Sequence, residues 1–163
     1  MSTPPSTNHD PASASCPADM EHPVRIRRVG MDALDVIRRL NTAIFDEQRI
    51  INTFDRDDVL ILLAQVESQP VGFKIGYRFK AKTYYSAKGG VLPAFRRQGI
   101  ARALLYAMID RVRDWGYTSF LFDTFPNKHP GMTVLGLSEG FRVVKAGYSP
   151  QYQDYRLRFE KAW

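Results

Sequence analysis

Thiols are nearly absent from this 163-residue chain, and long apolar runs are missing altogether. A single cysteine, Cys16, cannot close an internal disulfide or supply a multi-thiolate zinc site, so the fold must hold by packing and suits a reducing compartment, by default the cytoplasm. The longest apolar stretch, Val59 to Val66, ends at Glu67, far below the ~18 residues a membrane helix needs, which predicts a soluble protein without a membrane partner. Lys and Arg are absent from residues 1–23, where Pro4, Pro5, Pro11, Pro17 and Pro23 stand among Ser, Thr, Asn and Ala. With so little to bury, that stretch predicts a disordered tail, and it lacks the basic start and apolar centre of a secretory signal. Cys16 falls inside it with no fixed basic neighbour to make a thiolate, which disfavours cysteine-based covalent chemistry.

The rest of the composition, 44% apolar and 25% charged, suits one domain over residues 24–163. Charge is skewed. The net formal charge is +6 from 23 Lys and Arg against 17 Asp and Glu; Asp10, Asp19 and Glu21 all lie in the tail, which leaves +9 beyond it. That balance points to an anionic partner. Nucleic acid is the weaker form of the idea, because the basic residues alternate with apolar ones on several strands and no zinc-finger or RNP motif is present.

Periodicity orders the elements. Val24 to Val29 reads as an edge strand, and Leu34, Ile37 and Leu40 form a helical stripe with Asp32 available as N-cap. A helical or loop stretch follows through Ile44, Phe45, Ile50 and Ile51. Val59 to Val66 reads as a buried strand and 67–70 as a turn. The next strand alternates, with Val71, Phe73, Ile75, Tyr77 and Phe79 on one face and Gly72, Lys74, Gly76, Arg78 and Lys80 on the other. Thr83 to Leu92 continues the sheet, and Gly89-Gly90 inside it predicts a bulge or a close backbone approach. Ile100 to Trp115 is the strongest amphipathic helix, ended by Gly116. A strand over 119–125, a short helix through Met132, Leu135 and Leu137 that stops at Gly140, and strands over 141–146 and 154–160 complete the pattern.

Chemistry concentrates where Val91-Leu92-Pro93-Ala94-Phe95-Arg96-Arg97-Gln98-Gly99-Ile100-Ala101-Arg102 joins a strand to that helix. The first N–H groups of a helix lack internal partners and carry the positive end of its dipole, so small residues there let a pyrophosphate reach bare backbone donors. The same spacing also suits a plain strand-to-helix turn with solvated arginines. Arg96-x-x-Gly99-x-Ala101 after Val91-x-Pro93 resembles the acetyl-CoA signature of the GCN5-related N-acetyltransferases (GNAT), and the element order from Val24 to Trp163 is similar to theirs.

The resemblance implies an α/β (α+β) GNAT fold, a mixed, mostly antiparallel sheet of about seven strands flanked by about four helices. It implies transfer of an acetyl group from acetyl-CoA to a primary amine by direct attack in a ternary complex, and it admits a homodimer. Pyrophosphate would lie on the amides of Arg97, Gln98, Gly99, Ile100 and Ala101, with Arg96 and Arg102 adding side-chain contact. The pantetheine arm would pair with the backbone of Val91 to Pro93, and the Val91 amide would face the thioester carbonyl. Asn127 resembles the asparagine the family keeps near pantetheine, although an alignment on Gly140-Phe141 puts His129 there. Two positions depart from the family: Tyr85 stands where some members carry a catalytic glutamate, and Gly136 where many carry a general-acid tyrosine. Glu47 or Asp46 through water, and Tyr85, Ser86 or Tyr148 toward sulfur, are the substitutes the sequence offers, each with a plain structural reading beside it. Asp123 and Thr124, at a strand end, are further candidates. The unmatched positions also suit a non-catalytic acyl-CoA-binding or partner-docking module with the same fold.

Overall fold

The computed structural model describes residues 23–163, so the predicted tail and Cys16 lie outside the described residues, apart from Pro23. The chain runs β1 (Arg25–Val29), α1 (Leu34–Phe45), β2 (Leu60–Val66), β3 (Gln69–Lys80), β4 (Thr83–Val91), α2 (Ile100–Asp114), β5 (Ser119–Thr124), α3 (Pro130–Ser138), β6 (Arg142–Ser149) and β7 (Asp154–Ala162). Seven strands form one sheet in the order β1-β2-β3-β4-β5-β7-β6. Every neighbouring pair is antiparallel except β4 and β5, which are parallel because α2 carries the chain back across the sheet. Among the described residues no helix is long and apolar enough to cross a membrane.

Two apolar layers fix the helices. Ile37 and Leu40 of α1 pack on Ile61, Leu63, Phe73 and Ile75, while Leu104, Leu105, Met108 and Val112 of α2 pack on the opposite face with Leu60, Leu62, Tyr84 and Phe120. Each such large side chain contributes roughly 1.5–3 kcal/mol when fully buried. The period-2 pattern of β3 does not separate a wet face from a dry one: Phe73 and Ile75 lie under α1, and Lys74, between Gly72 and Gly76, lies under α2.

Three expectations change. About four helices are expected and three α-helices are found among the described residues, because Asp46 takes a left-handed conformation (φ 54°) at the end of α1 and the chain beyond it stays irregular up to β2. Asp32 does not cap α1: residues 31–33 form a separate 3-10 turn, and Ala33 holds the N-cap position without a side-chain hydrogen bond. The bulge in β4 is at Ala87, between Ser86 opposite Gly76 and Lys88 opposite Ile75. The glycine pair serves close approach instead, since a Cβ on Gly90 would stand 2.8 Å from Ile44 Cγ2.

Candidate active site

The parallel ladder between β4 and β5 lasts only from Thr83↔Ser119 to Ser86↔Phe122. The next residue of β4 is the Ala87 bulge, which bends the strand, and from there to Val91 the edge facing β5 is unpaired. Its polar groups can be assigned. Leu92 N–H donates to Val71 O at 2.8 Å, so Gly72↔Val91 is a non-hydrogen-bonded pair and Val91 turns its own N–H and C=O away from β3, into the split. The register is regular back to Lys88, so Gly89 presents its N–H and C=O the same way. Gly89 is a site residue that the sequence marks only through its missing side chain.

Beyond the split the chain turns through a short 3-10 segment, Pro93–Phe95, into α2. Arg97 (φ 62°) and Gly99 (φ 80°) both adopt left-handed backbone, and Gly99 is the N-cap of α2, with no side chain capping the helix. The first intrahelical bond recorded is Ala103 N–H to Gly99 O, which leaves the amides of Ile100, Ala101 and Arg102 without helical partners. A Cβ placed on Gly99 would meet nothing within 4 Å. The result is an open concavity of bare N–H donors at the positive end of a 15-residue helix, chemistry that fits a pyrophosphate.

The arginines expected at that turn have other work in this structure. Arg96 Nε donates to Val91 O at 3.1 Å, which takes up the one Val91 group that could compete for a donor and ties the turn to β4. Arg102 Nε lies 2.6 Å from Glu139 Oε1 at the end of α3. Arg97 and Gln98 are exposed. Asn127 donates to Asp154 Oδ1 at 2.9 Å and so pins the start of β7. His129, two residues on, packs edge-on against Phe45 with ring centroids 5.7 Å apart. Because Phe45 also covers Gly90 of β4, this contact joins the two sides of the split. Burial, with the charges of Arg96 and Lys128 adding to it, lowers the His129 pKa and favours a neutral ring.

On the α1 face, Lys88 Nζ is 2.6 Å from Glu47 Oε2 and 3.1 Å from Arg49 O, and it lies over the Phe45 ring. The segment carrying Glu47 is held by Asn41, fully buried in α1, whose Nδ2 donates to Glu47 O at 2.7 Å and Arg49 O at 3.2 Å. Further along this face Tyr85 donates its hydroxyl to Asp123 Oδ2 at 2.9 Å, and Asp123 accepts both Nε (2.8 Å) and Nη2 (3.0 Å) of Arg158. Burial, then the Asp123 carboxylate, raises the Tyr85 pKa well above its ordinary value, so the phenol stays neutral at physiological pH and cannot serve as a base there. Arg158 also covers the rings of Phe79 and Tyr85. A cavity of about 150 Å³ opens beside this pair, between Asp123, Lys145, Gly147, Tyr148, Arg156 and Arg158. Tyr148 is exposed, edge-on to Tyr155. Arg158 carries no sequence signal of its own beyond the alternation of β7. Gly136 of α3 is packed shut: a Cβ there would lie 2.8 Å from Phe122 Cζ.

Comparison with known proteins agrees with this fold. Residues 32–132 match the Acetyltransferase (GNAT) family. The fold is similar to the ribosomal-protein-S18-alanine N-acetyltransferase of Escherichia coli, at 15% identity and TM-score 0.73, covering 86% of this chain and 94% of that one. It is similar to Arabidopsis thaliana Naa50, solved with the bisubstrate analogue CoA-Ac-MVNAL, at 18% identity and TM-score 0.72, covering 86% and 99%. It is also similar to a GNAT family acetyltransferase from Elizabethkingia anophelis with acetyl-CoA bound, at 15% identity and TM-score 0.64, covering 86% and 98%. No curated protein matches the chain by sequence.

Proposed function

The chain belongs to the acetyltransferase (GNAT) family, and from that membership we propose that it moves the acetyl group of acetyl-CoA to a primary amine by direct attack while both are bound. The observation that carries the reading is the split after Ser86↔Phe122, where an unpaired strand edge runs straight into a turn of bare helix amides. A pantetheine arm carries amides that can pair with that edge as a strand would, and a diphosphate is the anion the turn fits.

Backbone N–H groups of Arg97, Gln98, Gly99, Ile100 and Ala101 hold pyrophosphate, and Pro93 starts the 3-10 turn that aims them. The N–H of Val91 faces the carbonyl oxygen on which negative charge develops. A preset donor of this kind is worth ~2.7–4 kcal/mol in other enzymes. Arg96 acts as a positioning residue through Val91 O, and Arg102 through Glu139. An amine of pKa about 10.4 must lose its proton near neutral pH. Glu47 accepts it through water, beside Lys88 at the bulge. Tyr85, held neutral on Asp123, and Tyr148 beside the small cavity shape the acceptor side.

The test is paired. Acetyl-CoA at saturation raises the melting temperature by several degrees, and Gly99→Val, whose side chain meets no obstacle but whose backbone is strained at φ 80°, loses most of that rise. Free thiol then appears with at least one class of a mixed amine panel. No melting shift in the wild type would refute the reading at its root. A shift with no thiol from any amine would instead support the binding module, a reading favoured by the neutral Tyr85 and the closed Gly136.

A further inference from the structure

Lys74 lies at the centre of β3, directly opposite Gly89 of β4, and is only 5% exposed. Its side chain leaves the sheet on the α2 face, with Cγ 3.2 Å from where a Cβ on Gly89 would stand. Every neighbour along this face is closed. Leu62 and Leu60 are buried on the β2 side, Leu104 lies over Gly72, and Met108 and the Tyr84 ring lie over Gly76. Among the described residues Lys74 Nζ has no hydrogen-bond or ion-pair partner. Among the described residues the sealed, unsatisfied side-chain atoms are Asn41 Oδ1 and Thr133 Oγ1, so Lys74 Nζ is not wholly sealed off although the residue is buried. The one side on which a neighbouring strand is missing is the far side of Gly89, the split itself.

Resting on the acetyl-transfer reading, we propose that Lys74 is the proton donor to the departing thiolate: it reaches across Gly89 into the split and protonates sulfur as the thioester breaks. The amine nitrogen forms its bond to the carbonyl carbon and gives up one proton to water. The carbon–sulfur bond breaks, and sulfur takes a proton from Lys74 Nζ. Lys74 is reprotonated from solvent before the next turnover. Three features of the sequence are explained together: the Gly72-Phe73-Lys74-Ile75-Gly76 frame that lets α2 close over a lysine, the missing side chain at Gly89 that clears its path, and the packed Gly136, where α3 carries no side chain.

The charge environment is consistent. On this face Leu62 of β2 and Gly89 of β4 stand directly opposite Lys74, while Leu104 and Met108 of α2 lie over Gly72 and Gly76 on either side of it. Tyr84, the titratable group on this face of β4, is spent on Asp58 O at 2.8 Å, and Arg102 of α2 is paired with Glu139. With burial as the cause and no counter-charge, the lysine pKa falls to about 8, where an ammonium gives up its proton readily yet is largely charged at neutral pH.

The experiment compares wild type, Lys74→Met and Lys74→Arg as full chains. Both variants keep the acetyl-CoA melting shift and a KM for acetyl-CoA within about twofold, and both lose ~10²-fold in kcat, the scale of a positioned general acid. Wild-type kcat falls as pH rises through the Lys74 pKa, and Lys74→Met lacks that limb. A second readout needs no variant: reductive methylation of wild type at pH 7.5, followed by peptide mass spectrometry, labels Lys74, and saturating CoA slows that labelling ~10-fold. Wild-type kcat and pH profile in Lys74→Met would overturn the proposal, as would full rescue by Lys74→Arg, labelling indifferent to CoA, or acetylation of Lys74 by acetyl-CoA alone. Failure of the acetyl-transfer reading looks different, because wild type then releases no thiol with any amine.

Discussion

A buried, unpartnered ammonium lowers stability, and Lys74 makes that cost measurable. In the unfolded chain its pKa is 10.5 and in the folded one about 8. Below pH 8 both states hold the proton and the penalty is complete, ~3 kcal/mol for a shift of this size. Between pH 8 and 10.5 the unfolded state binds more protons than the folded one, so stability rises with pH. Tyr84, Tyr85 and Tyr117, whose pKa values burial raises, act in the opposite sense from about pH 10 upward, because the unfolded chain loses those protons first. Urea melts should therefore show wild type gaining stability from pH 8 to 10. Lys74→Met should be more stable at pH 7 by up to ~3 kcal/mol and flat over that window. Equal slopes for the two proteins would mean that Lys74 is solvated. Nothing in the alternation of β3 distinguishes this lysine from Arg78 and Lys80, which are exposed, because what differs is the helix lying over it. Arg96 shows the same gap in legibility: its motif position is plain in the sequence, but its bond to Val91 O depends on how the turn folds back.

At the scale of elements, strands and long helices follow from periodicity, and the segment between α1 and β2 does not. Ile44, Phe45, Ile50 and Ile51 fit either a second helix or a loop. The choice is made by Asn41, which occupies a core position in the α1 stripe between Leu40 and Ile44 and spends its amide on two loop carbonyls. A polar residue at a core position of an amphipathic helix is the one signal that could have shown it. Asn41→Ala leaves the Glu47 and Arg49 carbonyls without those donors, so it should cost ~1–3 kcal/mol in urea unfolding. Its specific mark is local: amide exchange over 46–52 quickens, and the KM for the amine rises while that for acetyl-CoA holds, because Glu47 and Lys88 are the groups released. Unchanged exchange in that segment would show that the loop is held by its apolar contacts instead.

At the scale of the whole molecule, the split is a product of topology. Among the described strands only β4 and β5 run parallel, joined through α2, and the bulge at Ala87 ends their pairing after four residues. The signature turn is legible in the sequence because it is local, whereas the split is not, because it depends on two strands 28 residues apart failing to stay together. The charge of the molecule bears on what enters there. Outside residues 1–23 the chain carries +9, and at ~0.1 M ionic strength charges within ~10 Å still feel one another. Acetyl-CoA brings phosphates to the bare amides of α2, while S-acetyl-pantetheine brings the same thioester and arm without the pyrophosphate. Raising salt from 50 to 500 mM should therefore weaken acetyl-CoA several-fold in a thermal-shift titration and leave the truncated thioester nearly unmoved, since a strand-like arm pairs through uncharged amides. If the two ligands respond alike, the helix terminus is not where the phosphates go, and the split alone would have to explain binding.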